Sequence, residues 1–230
     1  MQLLRLAKPL YFYFRLARDP GQLDRVFQMR DAADDPRVTR AVFDGLSQDP
    51  QAREAFASRP RVGLFTIEEL LAMPAASLGQ AYGAFMKRHG LTPEAIPRVE
   101  SADGLTYIRA HLFETHDLWH VVTGFAPDTE GETGLQAVYA AQLPGGMFNA
   151  ALVSALLLNA AIERSSRKSK ERFDALARGW ELGSRAKLLF GYRWRDSFER
   201  PLEDVRRELG VDASLSRARP LRTVLDADLS

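Results

Sequence analysis

The chain contains no cysteine in its 230 residues. Disulfides and thiolate metal ligands are thereby excluded, and a cytoplasmic setting is accommodated without being required. Net charge is nearly absent too, since 31 Lys and Arg stand against 30 Asp and Glu, a formal +1. No overall field is available to hold a polyanion, so nucleic acid is not an expected partner. Long apolar runs are missing. The most hydrophobic stretch, 147–162, includes Asn149, Ser154 and Asn159 and falls short of the ~20 residues of a bilayer span. It reads as a buried helix. At the N-terminus, Arg5, Lys8 and Arg15 interrupt the apolar residues and no small-residue cleavage site follows, unlike a secretory signal. Internal repeats and a Gly-rich phosphate loop are also lacking.

What is present is an ordinary globular composition, 46% hydrophobic and 27% charged, on a chain long enough to bury a full core. The apolar spacing is helical nearly throughout. Helices are expected over 2–18, 22–31 and 36–58, with Asp34-Asp35-Pro36 and Asp49-Pro50 as entry turns. A turn or two follows at 68–73, then a helix over 77–89. Residues 90–102, with Pro93 and Pro97, read as a connection. Asp103 is the expected N-cap of a central helix whose apolar stripe is Leu105, Ile108, Leu112 and Trp119, with His116 in it. After a loop holding Gly124, Pro127, Asp128 and Gly131, Glu132 opens the next helix, which Leu143-Pro144-Gly145-Gly146 ends. Helices over 170–192 and 197–209 and a loose polar tail from Asp212 complete the reading. The expected fold is all-α, a multi-helix single domain around a central helix-loop-helix. It divides into an N-terminal helical segment 1–60, a helical core 61–211 and a tail 212–230. Two stretches mix bulky apolar and cationic groups as interfacial helices do: Tyr11 to Phe14 with its basic neighbours, and 185–195.

The chemistry concentrates in that helix-loop-helix. Histidine is scarce, four in all, yet His116 and His120 stand four apart beside Asp117, and Glu132 follows twelve residues on. Positions four apart share a helix face, and Asp117 lies about 100° round from His116. Two imidazoles and a carboxylate can converge on one ion, with Glu132 closing the site from the next helix. The donor set suits a divalent metal, zinc first, with iron, cobalt or manganese also accommodated. The plain alternative is a core histidine beside solvated carboxylates. Glu114, about 200° from His116, is placed for a supporting role rather than for ligation. The run Asp128 to Glu132 lacks the spacing of a calcium-binding EF-hand loop. An HD-type phosphohydrolase would need further separated His and Asp ligands, which His111 and Asp128 do not convincingly supply.

These residues carry a family resemblance. His116-Asp117-x-x-His120 with Glu132 resembles the metal signature of the coenzyme Q biosynthesis protein four family. Pro74 to Met86, Glu114, Gln142-Leu143-Pro144 and Arg200 to Val211 are similar to family stretches on either side, so the resemblance covers roughly 60–211. It implies an all-helical fold, a divalent metal on His116, Asp117, His120 and Glu132, and a part in making the ubiquinone head group. The activity it implies is metal-dependent oxidative decarboxylation with hydroxylation at ring carbon one. The alternative is a non-catalytic lipid-binding scaffold that organises the biosynthetic complex. Implied partners are a prenylated quinone precursor or isoprenoid lipid, a membrane surface to which the protein is peripheral, other ubiquinone biosynthesis proteins, and a second copy of the chain in a homodimer.

Overall fold

The computed structural model describes residues 11, 13–15, 17–19, 36–96, 98–144 and 147–218. Among them every regular element is helical, with one isolated antiparallel bridge between Ser77 and Pro201. The helices are α1 Pro36–Leu46, α2 Pro50–Ser58, α3 Ile67–Leu71, α4 Leu78–His89, α5 Gly104–Thr123, α6 Thr129–Gln142, α7 Met147–Ile162, α8 Ser166–Arg185 and α9 Leu202–Leu209. The all-α expectation is met.

α5 is the axis of the molecule. Asp103 caps it as the sequence indicates: its carboxylate accepts from Thr106 N at 2.9 Å, while Thr106 Oγ1 accepts from Asp103 N at 3.1 Å. Gly124, at φ 83°, ends it in the left-handed conformation that glycine adopts without a Cβ clash. The orphan carbonyls of its last turn are also met, because Arg206 of α9 donates to Val121 O and Val122 O, each at 2.8 Å. Tyr107, Leu118, Trp119 and Val122 of α5 are fully buried, and α1 and α2 close the near end through Phe43, Phe56 and Phe190.

α6 is held by α8 at unusually short range. A Cβ on Gly179 would fall 2.0 Å from Gly134 O, and one on Gly183 would fall 2.9 Å from Val138 O. Two glycines four apart on α8 thus let its backbone lie directly on α6, fixing the helix that carries Glu132.

Several boundaries differ from the sequence reading. The stretch 36–58 is two helices, split at 47–49, where Asp49 caps α2 through Gln51 N and Ala52 N. α6 begins at Thr129 because Asp128, read as loop, accepts from Gly131 N at 2.7 Å and caps it. The helix expected over 170–192 runs instead from Ser166, capped by Ser165, to Arg185. The last helix starts at Leu202 because Pro201 removes a donor there, and Arg195–Ser197 forms a separate 3₁₀ turn. The start of the tail is docked rather than loose: Arg178 donates to Leu215 O and Ser216 O of the turn Ala213–Ser216. The interfacial reading of 185–195 is overturned, since Leu189, Phe190 and Trp194 are buried. Of the helix expected over 2–18, residues 11, 13–15 and 17–18 are described and helical; the expected helix 22–31 and residues 219–230 lie outside the described residues.

Candidate metal centre

His120 of α5 is 1% exposed, and both of its nitrogens face oxygen. Nδ1 lies 2.9 Å from Phe125 O, and Nε2 lies 2.9 Å from Glu132 Oε1. A carbonyl only accepts, so Nδ1 carries the hydrogen, and a neutral ring then presents a lone pair at Nε2 to a carboxylate. A proton on Nε2, or a metal cation bound by both Nε2 and Glu132, resolves that conflict. One turn earlier, His116 repeats the arrangement. Its Nδ1 is 3.3 Å from Tyr139 Oη and its Nε2 is 3.6 Å from the same Glu132 oxygen. Both rings are oriented through Nδ1 and offer Nε2 to one point, the usual way a protein sets a metal-binding imidazole.

The ligand atoms of His116, His120 and Glu132 all lie within 4.8 Å of one another. Two imidazoles and one carboxylate suit zinc and also iron, cobalt or manganese, and three protein ligands leave a coordination position free in a reactive site. The donor set therefore fits a divalent ion. Asp117 is not part of this set. It lies a further 100° round α5, near enough for its charge to act on His116 and on Tyr82 of α4.

The electrostatics follow from the convergence. Burial alone would lower the His116 pKa, but the charge and hydrogen bond of Glu132, with Asp117 behind, outweigh it and raise it. Burial would raise Glu132, but the two histidines outweigh it and hold the carboxyl far below its ordinary range. Side-chain exposures of 29% for His116 and 26% for Glu132, against 1% for His120, show that the cluster is partly open at His116 and Glu132 and closed at His120.

Neighbouring residues frame it. The Tyr139 ring stacks on Trp119 at 4.1 Å, and Phe85 stacks on His120 at 5.7 Å. Glu114 faces away and pins the chain before α3: Arg61 Nε donates to its Oε1 at 2.9 Å and Val62 N to its Oε2 at 3.2 Å. A cleft of about 210 Å³ lies on that side, lined by Arg61, Phe65, Tyr82, Ile96 and Glu114 among others. Burial, then the charges of Asp117 and Glu114, push the Tyr82 phenol up, so it stays protonated. His111 is no ligand. Its Nε2 accepts from Gly191 N at 3.0 Å and its Nδ1 bonds Tyr107 Oη at 3.0 Å, while Asp128 is occupied as a cap; the HD-type alternative loses both candidates.

Tyr139 is a site residue that the sequence reading did not single out. Its spacing of seven from Glu132 is the signal that puts it on the site. The Phe125 carbonyl leaves no mark in a side-chain pattern.

Helices throughout the described residues, with a His-His-Glu cluster shared by α5 and α6, define a helical protein with a candidate divalent-metal centre. A family model described as "Coenzyme Q (ubiquinone) biosynthesis protein Coq4" matches residues 14–214, and the chain belongs to that family. Among its relatives, the mitochondrial ubiquinone biosynthesis protein coq4 of Aspergillus flavus is 28% identical over 84% of this chain and 68% of its own. The protein of the same name from Sclerotinia sclerotiorum is 26% identical over 86% and 70%. The crystal structure of a Nostoc punctiforme protein superposes with a TM-score of 0.77 at 27% identity, over 89% of this chain and 97% of that one. The chain is thus a member of a family involved in ubiquinone biosynthesis.

Proposed function

We propose that the chain catalyses metal-dependent oxidative decarboxylation and hydroxylation at ring carbon one of a prenylated ubiquinone precursor. The observation that carries this reading is the convergence of His116, His120 and Glu132, in a Coq4-family chain, on one partly open point. A divalent ion held there supplies Lewis-acid stabilisation of negative charge on an aryl carboxylate or phenolate. In the reaction the ring–carboxylate bond breaks to release carbon dioxide and a carbon–oxygen bond forms at the same carbon. Water supplies the new oxygen and dioxygen takes the two electrons and two protons as hydrogen peroxide, so aryl acid, water and dioxygen give phenol, carbon dioxide and peroxide. His116, His120 and Glu132 would hold the ion that orients the head group, while the Phe125 carbonyl fixes the His120 tautomer that presents Nε2 and Tyr139 Oη holds His116 at Nδ1. Asp117, beside the cluster, accepts a proton from the ring hydroxyl. α7, mostly apolar and without a charged residue, offers a wall for an isoprenoid tail, where each buried methylene contributes about 0.8 kcal/mol.

Partners in this reading are the prenylated precursor, a membrane surface that delivers it, and other ubiquinone biosynthesis proteins. Among the described residues no helix is long and apolar enough to cross a membrane. The test is complementation. Wild-type chain restores ubiquinone to a cell lacking its C1-modifying activity, while His116→Ala and Glu132→Ala leave a prenylated ring that still bears its carboxylate. Soluble ligand variants that rescue as well as wild type would remove the catalytic reading in favour of a scaffold.

A further inference from the structure

Gln136 stands on the helix face that supplies the cluster's carboxylate without being one of its ligands. It lies four residues after Glu132 and three before Tyr139, so the three share one face of α6. Both of those neighbours touch His116: Glu132 Oε1 is 3.6 Å from its Nε2 and Tyr139 Oη is 3.3 Å from its Nδ1. Gln136 is bracketed by contacts to the same imidazole. At 8% exposure its amide is in a place where polar groups need partners. One end has one, because Asn149 Nδ2 donates to Gln136 Oε1 at 2.9 Å. Asn149 belongs to the first turn of α7, a helix with no charged residue. The bond turns Oε1 toward α7 and leaves the two N–H groups of Nε2 without an acceptor among the described residues. Nε2 is also not one of the sealed, unpartnered polar atoms of the core, so the donor keeps some access, on the helix face that carries Glu132 and Tyr139.

An uncharged double donor next to a cation-binding cluster is complementary to a carboxylate whose other oxygen the cluster holds. A glutamate there would repel the same group, and an apolar residue would leave it unpaired. We propose that Gln136 binds substrate: its Nε2 donates to a carboxylate oxygen of an aryl acid held at His116, His120 and Glu132, and Asn149 is the positioning residue that fixes the amide. The inference rests on the metal-site reading above and goes beyond it by naming the group that selects the acid.

The competing role is a strap between α6 and α7, which would affect stability but not selectivity. Binding to protein loaded with cobalt(II) separates the two. The probes are a 3-alkyl-4-hydroxybenzoate and the 2-alkylphenol that lacks its carboxylate, measured by calorimetry. Gln136→Leu is expected to take up cobalt like wild type and to weaken the benzoate about tenfold, as loss of one hydrogen bond to a charged group does, with the phenol unchanged. Gln136→Glu weakens the benzoate further, and Asn149→Ala gives a smaller loss of the same selectivity. Equal benzoate affinity in Gln136→Leu and wild type overturns the inference while leaving the metal centre standing. Equal losses for benzoate and phenol, or loss of cobalt in Gln136→Leu, assign the residue to the strap and overturn it as well. Wild-type protein that takes up no cobalt removes the metal-site reading and this inference together.

Discussion

At the scale of single residues, the cluster gains its character from what stands behind the imidazoles. The Phe125 carbonyl and the Tyr139 hydroxyl hold Nδ1 of His120 and His116, so Nε2 of each is the only atom left to ligate. One divalent ion per chain is therefore expected by elemental analysis. His116→Ala, His120→Ala or Glu132→Ala should weaken it by about 100-fold or more, since ligation is coupled to folding of the site. Asp117→Asn, outside the three-residue set, should keep the ion and lose ubiquinone production; loss of the ion in that variant would make Asp117 a ligand. His111 makes a different prediction. Burial, with the Arg61 charge adding to it, pulls its pKa from 6.5 down to about 3. The folded ring thus stays neutral where the unfolded one takes a proton. Its contribution is fully present above pH 6.5 and is lost as pH falls from there toward 3, by about 1.4 kcal/mol per unit. Urea unfolding at several pH values should show a shallower acid slope in His111→Gln than in wild type, and parallel slopes would count against the neutral, buried histidine.

At the scale of elements, α5 and its cap were legible because their signals are local: Asp103 before an apolar stripe, Gly124 after it, and the His-Asp-x-x-His run between. The start of α6 was less so. Asp128 caps it through a bond to Gly131 N, but Asp128 to Glu132 is all polar or glycine, so no apolar periodicity marks the first turn. The segment after α8 was misread for a long-range reason. Its alternating cations and aromatics look interfacial, yet its backbone is satisfied from far away in the chain. Gln51 Nε2 donates to Leu188 O and Phe190 O, Gln142 Nε2 to Lys187 O, and Gly191 N donates to His111. With the main chain provided for, Leu189, Phe190 and Trp194 enter the core while the cationic ends stay outside. The α6–α8 contact gives the prediction at this scale. Gly179→Ala places a methyl against the Gly134 backbone, a clash that no side-chain rotation relieves. It should cost at least about 2 kcal/mol and lower Tm by roughly 4–8 °C. It should also weaken metal uptake by displacing Glu132, and an unchanged melting curve would contradict so close a packing of the two helices.

At the scale of the whole molecule, the proposed substrate raises a problem of access. A polar ring with a long isoprenoid tail resides in a membrane, and the cluster is only partly open to its surroundings. The described N-terminal residues offer a contact for that surface. Tyr11 and Phe14 are 57% and 55% exposed, with Arg15 and Arg18 beside them in the sequence, while Ala17 is fully buried in a group with Leu152 and Ala155 of α7 and Tyr13 Oη bonds Ser154 at 3.2 Å. The same helical turns thus grip α7, the proposed wall for the tail, and present aromatic and cationic groups outward, the combination that settles at a headgroup layer. Co-sedimentation with vesicles should show binding that strengthens with anionic lipid and falls as salt rises, because the cationic share is screened within about 10 Å at 0.1 M. The double variant Tyr11→Ser, Phe14→Ser, which leaves Tyr13 and Ala17 in place, should lose most of that binding with little change in Tm or metal content. Absence of binding by wild type to anionic vesicles at low salt would remove the peripheral-membrane proposal. Binding unaffected by the double variant would move it to another surface.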